Sequence, residues 1–182
     1  EQVSDITESA MRGEMDFQSS LRKRVNLLAG LSSDVLNKVY QDKLKLNPGA
    51  ERMVTELRKK DIKTALVSGG FTYFSERLQQ RLQLDFQLAN QLEIVNNCLT
   101  GNVLGPIVDS RRKRIYLDEI CQQLNINPTQ SIAIGDGAND LEMLSRAGLG
   151  VAFQAKPVLQ RKADAALNFS GLEAVLDFIN LV

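Results

Sequence analysis

The chain has 182 residues, enough for one domain or a domain with a small cap. Hydrophobic residues make up 43% and charged residues 24%, which is too apolar a balance for a disordered tail. Lys and Arg number 22, as do Asp and Glu, and there is no His. The chain therefore lacks the summed field that general nucleic-acid or anionic-membrane binding uses, and Ser-His-Asp triads, phosphohistidine chemistry and His-ligated zinc are excluded.

Residues 1–47 read as helical. Val3, Ile6 and Ala10 recur at helical spacing until Gly13. Asp16 is placed to cap a second helix with Phe17, Leu21, Val25 and Leu28 on one face, ended by Gly30. Ser32 or Ser33 can cap a third helix carrying Val35, Leu36 and Val39, and Asn47-Pro48-Gly49 breaks the run. The texture then alternates. A helix with Ala50, Met53, Val54 and Leu57 leads to a short strand at 64–67, the turn Ser68-Gly69-Gly70, and a helix with Phe74, Leu78 and Leu82. Residues 86–108 read as short strands with a hairpin turn at Asn96-Asn97. A helix over 113–124 follows, then a strand at 131–134 running into Gly135-Asp136-Gly137 and another helix. A strand at 150–153, a short helix at Pro157, a strand at 165–167 and a last helix complete the chain. This alternation predicts a parallel α/β sheet with right-handed crossovers, functional residues lying at the carboxyl ends of strands.

The two cysteines, Cys98 and Cys121, form no metal or redox motif, neither is followed six positions later by Arg, and no G-x-x-x-x-G-K-[ST] occurs. Chemistry must then come from carboxylates, Lys, Arg, hydroxyls, backbone amides or a hard metal ion. Three features sit at strand ends. In Val67-Ser68-Gly69-Gly70 a hydroxyl beside two glycines lets backbone amides approach an anion; the same residues also suit a plain strand–helix turn. In Gly135-Asp136-Gly137-Ala138-Asn139-Asp140, Asp136 at the strand tip suits a hard cation such as Mg²⁺, and Asp140 can hold a metal-bound water or steady the loop. Acids at a helix start can also simply complement its dipole, but glycines on both sides of Asp136 argue for close packing around that carboxylate. The third is Lys113 in Arg111-Arg112-Lys113-Arg114. A basic run usually forms a solvated face, yet at a helix start it opposes the dipole, which raises the question of whether one member turns inward to an anion.

Taken in order, these features resemble the later motifs of the haloacid dehalogenase superfamily and, within it, the phosphoserine phosphatase family. The resemblance spans nearly the whole chain and includes Ala10-Met11-Arg12-Gly13, Asp16-Phe17, Ser20-Leu21-Arg22-Lys23-Arg24-Val25, Ser68-Gly69-Gly70-Phe71, Leu99-Thr100-Gly101, Gly135 through Asp140 and Ala155-Lys156-Pro157. It implies a parallel Rossmann-like sheet with a small helical cap, residues 1–47 forming most of the cap and 48–182 the α/β core. It implies that Ser68 and the Gly69 amide bind the phosphoryl group, that Lys113 neutralises its charge and that Asp136 ligates Mg²⁺. Asp140 would support the site and Asn139 would reach the phosphate side. Arg24 would pair with the substrate carboxylate, its planar fork suiting bidentate recognition. Met11 and Phe17 would close the cap over the substrate, though both also suit cap core.

The resemblance further implies a first strand ending in D-x-D-x-T, whose first Asp attacks phosphorus and whose second is acid and base. The sequence contains no D-x-D. The first strand would lie mid-sheet between the strands ending at Ser68 and Gly135. The expectation is therefore a longer parent enzyme that hydrolyses O-phospho-L-serine, and here either a gap between those two strands or a strand donated from elsewhere, including by a second copy. Open alternatives are a phosphatase for another small phosphomonoester, a non-catalytic phosphoserine-binding module and an inactive fragment. The polar start, the lack of a long apolar run and the unpaired cysteines place it in the cytoplasm, with no membrane or nucleic-acid partner.

Overall fold

The computed structural model of the chain describes residues 15–181. The expected first helix, and Met11 with it, lies outside them. Helix α1 (Phe17–Asn26) begins where Asp16 caps it. Ser19 donates to Asp16 from its backbone N–H at 2.9 Å and from its hydroxyl at 2.7 Å. These bonds, the hydroxyl's foremost, hold the Asp16 carboxyl below its ordinary range. Leu21 and Val25, one turn apart on α1, are buried. Helix α2 (Asp34–Asp42) buries Leu36, and α3 (Ala50–Lys59) follows Gly49, whose φ of 79° is left-handed.

Strand β1 (Ala65–Phe71) leads to α4 (Thr72–Leu82) and then to β2 (Phe86–Val95) and β3 (Cys98–Leu104). β2 and β3 pair antiparallel across Asn96-Asn97, whose φ values of 51° and 61° give a turn that matches the strands' twist. A register shift between Leu92 and Ile94 leaves Glu93 facing Thr100 and Asn102, which both donate to its carboxylate. Opposite lies Gly101 at φ 87°, where a Cβ would come within 2.9 Å of the Ala29 side chain. Helix α5 (Ser110–Leu124), β4 (Ile132–Gly135), α6 (Leu141–Arg146), β5 (Leu149–Phe153), α7 (Pro157–Gln160) and β6 (Ala165–Leu167) follow, and the chain closes on a 3₁₀ stretch, Leu172–Leu181.

The fold is α/β. The strands form two three-stranded sheets, ordered β1-β2-β3 and β4-β5-β6. The second is parallel throughout. β1 and β4, which the resemblance places on either side of a further strand, are both edge strands. One local expectation is corrected: Ser68-Gly69-Gly70 is not a turn but the continuation of β1, which runs on to Phe71. β1 pairs with β2 in the sheet, and Asn90 of β2 adds side-chain bonds to the carbonyls of Gly69 and Gly70.

Two compact units emerge. One joins the described residues up to 45 with 68–77 and 88–109; the other holds 46–67, 78–87 and the residues from 110 onward. The first unit thus combines the helices placed in the cap with the β2–β3 hairpin. Its core is Leu21, Val25, Leu36, Leu92, Leu99, Val103 and Ile107, with Phe17 packed against it. The second is built on Ala133, Met143, Leu144, Ala152, Ala155 and Leu159, with Val67 of β1 packed against them. Each such buried aliphatic side chain contributes roughly 1.5–3 kcal/mol relative to exposure.

Candidate active site

In the second unit the loop after β4 and the first turn of α5 meet. Lys113 is 4% exposed and Asp140 is 5% exposed. The Lys113 Nζ donates to Asp140 Oδ1 at 2.7 Å. Of the four consecutive basic residues, Lys113 alone is buried. It shares the inward stripe of α5 with Ile120 and Cys121. The helix is held in place by the Tyr116 hydroxyl, which donates to the Gln87 carbonyl at 2.9 Å, and by Asp118, bridged to Arg146 of α6 at 2.7 Å. Burial pushes the Tyr116 phenol up, keeping it a neutral donor.

The other Asp140 oxygen accepts from the backbone N–H groups of Asp136 at 3.2 Å and Gly137 at 3.1 Å. One carboxylate thus pins the loop and orients the ammonium, whose two remaining N–H bonds suit a phosphoryl oxygen. The glycines work differently from the expectation. Gly135 makes room for Asp140, whose Cγ lies 2.7 Å from where a Cβ would stand, and Gly137 makes room for Asn139 Oδ1 at 2.6 Å. The crowded carboxylate is Asp140, because it turns back over the loop to reach the two amides, whereas Asp136 is exposed. Among the described residues no side chain pairs with the Asp136 carboxylate, and no group of three His, Cys, Asp or Glu side chains converges. A lone hard-oxygen ligand at a strand tip fits Mg²⁺, which is typically held by one or two carboxylates with water and substrate phosphate completing its shell.

In the first unit, Ser68 Oγ accepts from the Gly70 N–H at 2.9 Å, leaving the hydroxyl hydrogen available to an anion. The Gly69 carbonyl accepts from Asn90 at 2.9 Å. Arg24 lies in the last turn of α1, half-buried, its Nε 3.4 Å from the Ser20 carbonyl. Phe17 packs on the core of this unit, consistent with its alternative as core. A depression of about 480 Å³ in the same unit is lined by Arg22, Lys23, Asn26 and Leu27 with 101–103, and contains none of the candidate site residues. The structure therefore brings Lys113, Asp136, Asn139 and Asp140 together in one unit, and Ser68 and Gly69 together in the other. Met11 lies outside the described residues. Sequence reasoning missed Asn90, one of three side-chain amides on β2 with Gln87 and Gln91, and nothing in the strand's own pattern singles it out.

The haloacid dehalogenase-like hydrolase family matches residues 1–148. The chain belongs to this family. Within it, the chain is 46% identical over 183 residues to a phosphoserine phosphatase of Polaromonas sp. strain JS666, covering 98% of this chain and 78% of that one. It superposes on a probable phosphoserine phosphatase from Vibrio cholerae with a TM-score of 0.91 at 43% identity, covering 98% of this chain and 55% of that one. A substrate-bound phosphoserine phosphatase superposes with a TM-score of 0.91 at 38% identity, covering 98% of this chain and 85% of that one. No helix of the described residues is long and apolar enough to cross a membrane.

Proposed function

We propose that this chain carries the phosphate-, metal- and carboxylate-binding part of a phosphatase that hydrolyses O-phospho-L-serine to L-serine and inorganic phosphate, the closing step of serine formation. The buried Lys113–Asp140 pair carries the reading. A buried cation on a carboxylate that also fastens a strand-tip loop is a charge held ready for an anion, at a desolvation cost that packing alone would not require. Ser68 and the Gly69 amide would bind the phosphoryl group and Asn139 would reach it. Asp136 would hold Mg²⁺, which when bound neutralises phosphoryl charge. Arg24 would take the serine carboxylate, with Met11 and Phe17 closing over the substrate. In this reading residues 1–47 are most of the cap and 48–182 the core, and the compartment is the cytoplasm, where Cys98 and Cys121 stay unpaired. Turnover needs an aspartate nucleophile that no D-x-D here supplies. The slot beside β1 and β4 would be filled by a donated strand or a second copy.

Calorimetry with phosphoserine and phosphoethanolamine tests this. Arg24→Ala should weaken phosphoserine about tenfold, the worth of one charge-assisted contact, and leave phosphoethanolamine unchanged. Equal losses for both ligands, or no phosphoserine binding by the unaltered chain, would remove the assignment.

A further inference from the structure

Asn90 is 1% exposed, and its side chain is fully engaged. Its Nδ2 donates to the Gly69 carbonyl at 2.9 Å and to the Gly70 carbonyl at 3.2 Å. Its Oδ1 accepts from the Val108 N–H at 2.8 Å. An amide has two donors and one acceptor atom, so each polar atom is used. The Gly69 carbonyl and the Gly70 N–H belong to one rigid peptide plane. Asn90 grips the oxygen end of that plane, and the nitrogen end donates to Ser68 Oγ at 2.9 Å. The plane cannot rotate away from Ser68 while Asn90 holds it. On its other side Asn90 is tied to Val108, itself buried and two residues ahead of α5, the helix that carries Lys113. The stretch between, at Asp109, accepts from Gln18 of α1 at 2.6 Å.

We propose that Asn90 is a positioning residue for anion binding: it fixes the Ser68 hydroxyl through the Gly69–Gly70 peptide plane and ties that plane to the segment leading into the Lys113 helix. The proposal rests on the reading of Ser68 as a phosphate-binding hydroxyl. A leucine at this site would match the amide in size but would leave the Gly69 and Gly70 carbonyls and the buried Val108 N–H without this partner.

The test is a double-mutant cycle on the full chain, read as the affinity for inorganic phosphate by calorimetry, with Asn90→Asp, Ser68→Ala and the pair. At neutral pH the aspartate keeps the acceptor for Val108 and loses both donors. Ser68→Ala alone should weaken phosphate about tenfold and Asn90→Asp about as much. The pair should be no weaker than either, because both changes remove the same contact. Amide hydrogen exchange at Gly70 should accelerate in Asn90→Asp while the melting of the molecule as a whole remains cooperative. Should Asn90→Asp fail to fold, Asn90→Leu read in the same cycle replaces it. Additive losses, or phosphate affinity unmoved by the aspartate while Ser68→Ala weakens it, overturn the positioning role alone. Affinity unmoved by Ser68→Ala, or no phosphate binding by the unaltered chain, overturns the phosphate reading and the proposal with it.

Discussion

Lys113 and Asp140 illustrate how one ion pair can be both costly and required. Their side chains are 5% and 7% exposed, so water screens the pair little. Removing one partner strands the other. Lys113→Met is therefore expected to cost about 3–5 kcal/mol in urea unfolding, with part of it recovered in Lys113→Met combined with Asp140→Asn, which removes the stranded charge and keeps an oxygen for the Asp136 and Gly137 N–H groups. A loss below about 1 kcal/mol in the single variant would mean that Asp140 finds another cation or reaches water. At this scale the site was legible where types and spacing carried the chemistry: Lys113 in its basic run, Asp136 and Asp140 at a strand tip. Which carboxylate the glycines accommodate was not legible, because the answer depends on the direction in which Asp140 folds back over the loop. Asn90 stayed hidden for a related reason. Its three partners lie on other segments, at 69, 70 and 108, and no local pattern relates them.

Among the elements, α1 shows its own start most directly. The Asp16 carboxyl is held below its ordinary range, so its ionised form is the one the fold prefers. Its contribution is present above the unfolded value of about 4 and fades as pH falls through the lower folded value. The melting temperature of the wild type should therefore exceed that of Asp16→Ala at neutral pH, and the gap should close in acid. A gap that persists in acid would assign the effect to packing rather than to the charged cap. The cap, the hairpin turn at Asn96-Asn97 and the inward stripe of α5 were legible because each is written in neighbouring residues. The length of β1 was not, because its last residues are extended in a sheet with β2, whose Asn90 adds a side-chain bond there, and not by their own preferences. Two glycines in sequence normally signal a turn, and here tertiary bonds override that signal.

At the scale of the whole molecule, β1 and β4 each present, among the described residues, an unpaired side of a sheet. Such edges template pairing with further strands. Light scattering over a wide concentration range is expected to show reversible self-association, and one constant monomer mass at every concentration would count against it. The parallel sheet was legible from strand–helix alternation, whereas the grouping of the hairpin with α1 and α2 in one unit arises from contacts such as Gly30 N–H to Leu99 carbonyl that sequence separation conceals. The two thiols give the chain a chemical asymmetry. Cys98 stands exposed beside the β2–β3 turn, while burial around Cys121 raises its thiol and shields it from reagents. A thiol-reactive dye therefore finds a single address on the folded chain, and a second one opens only when the core does, so the dye carried per molecule counts how many molecules are folded.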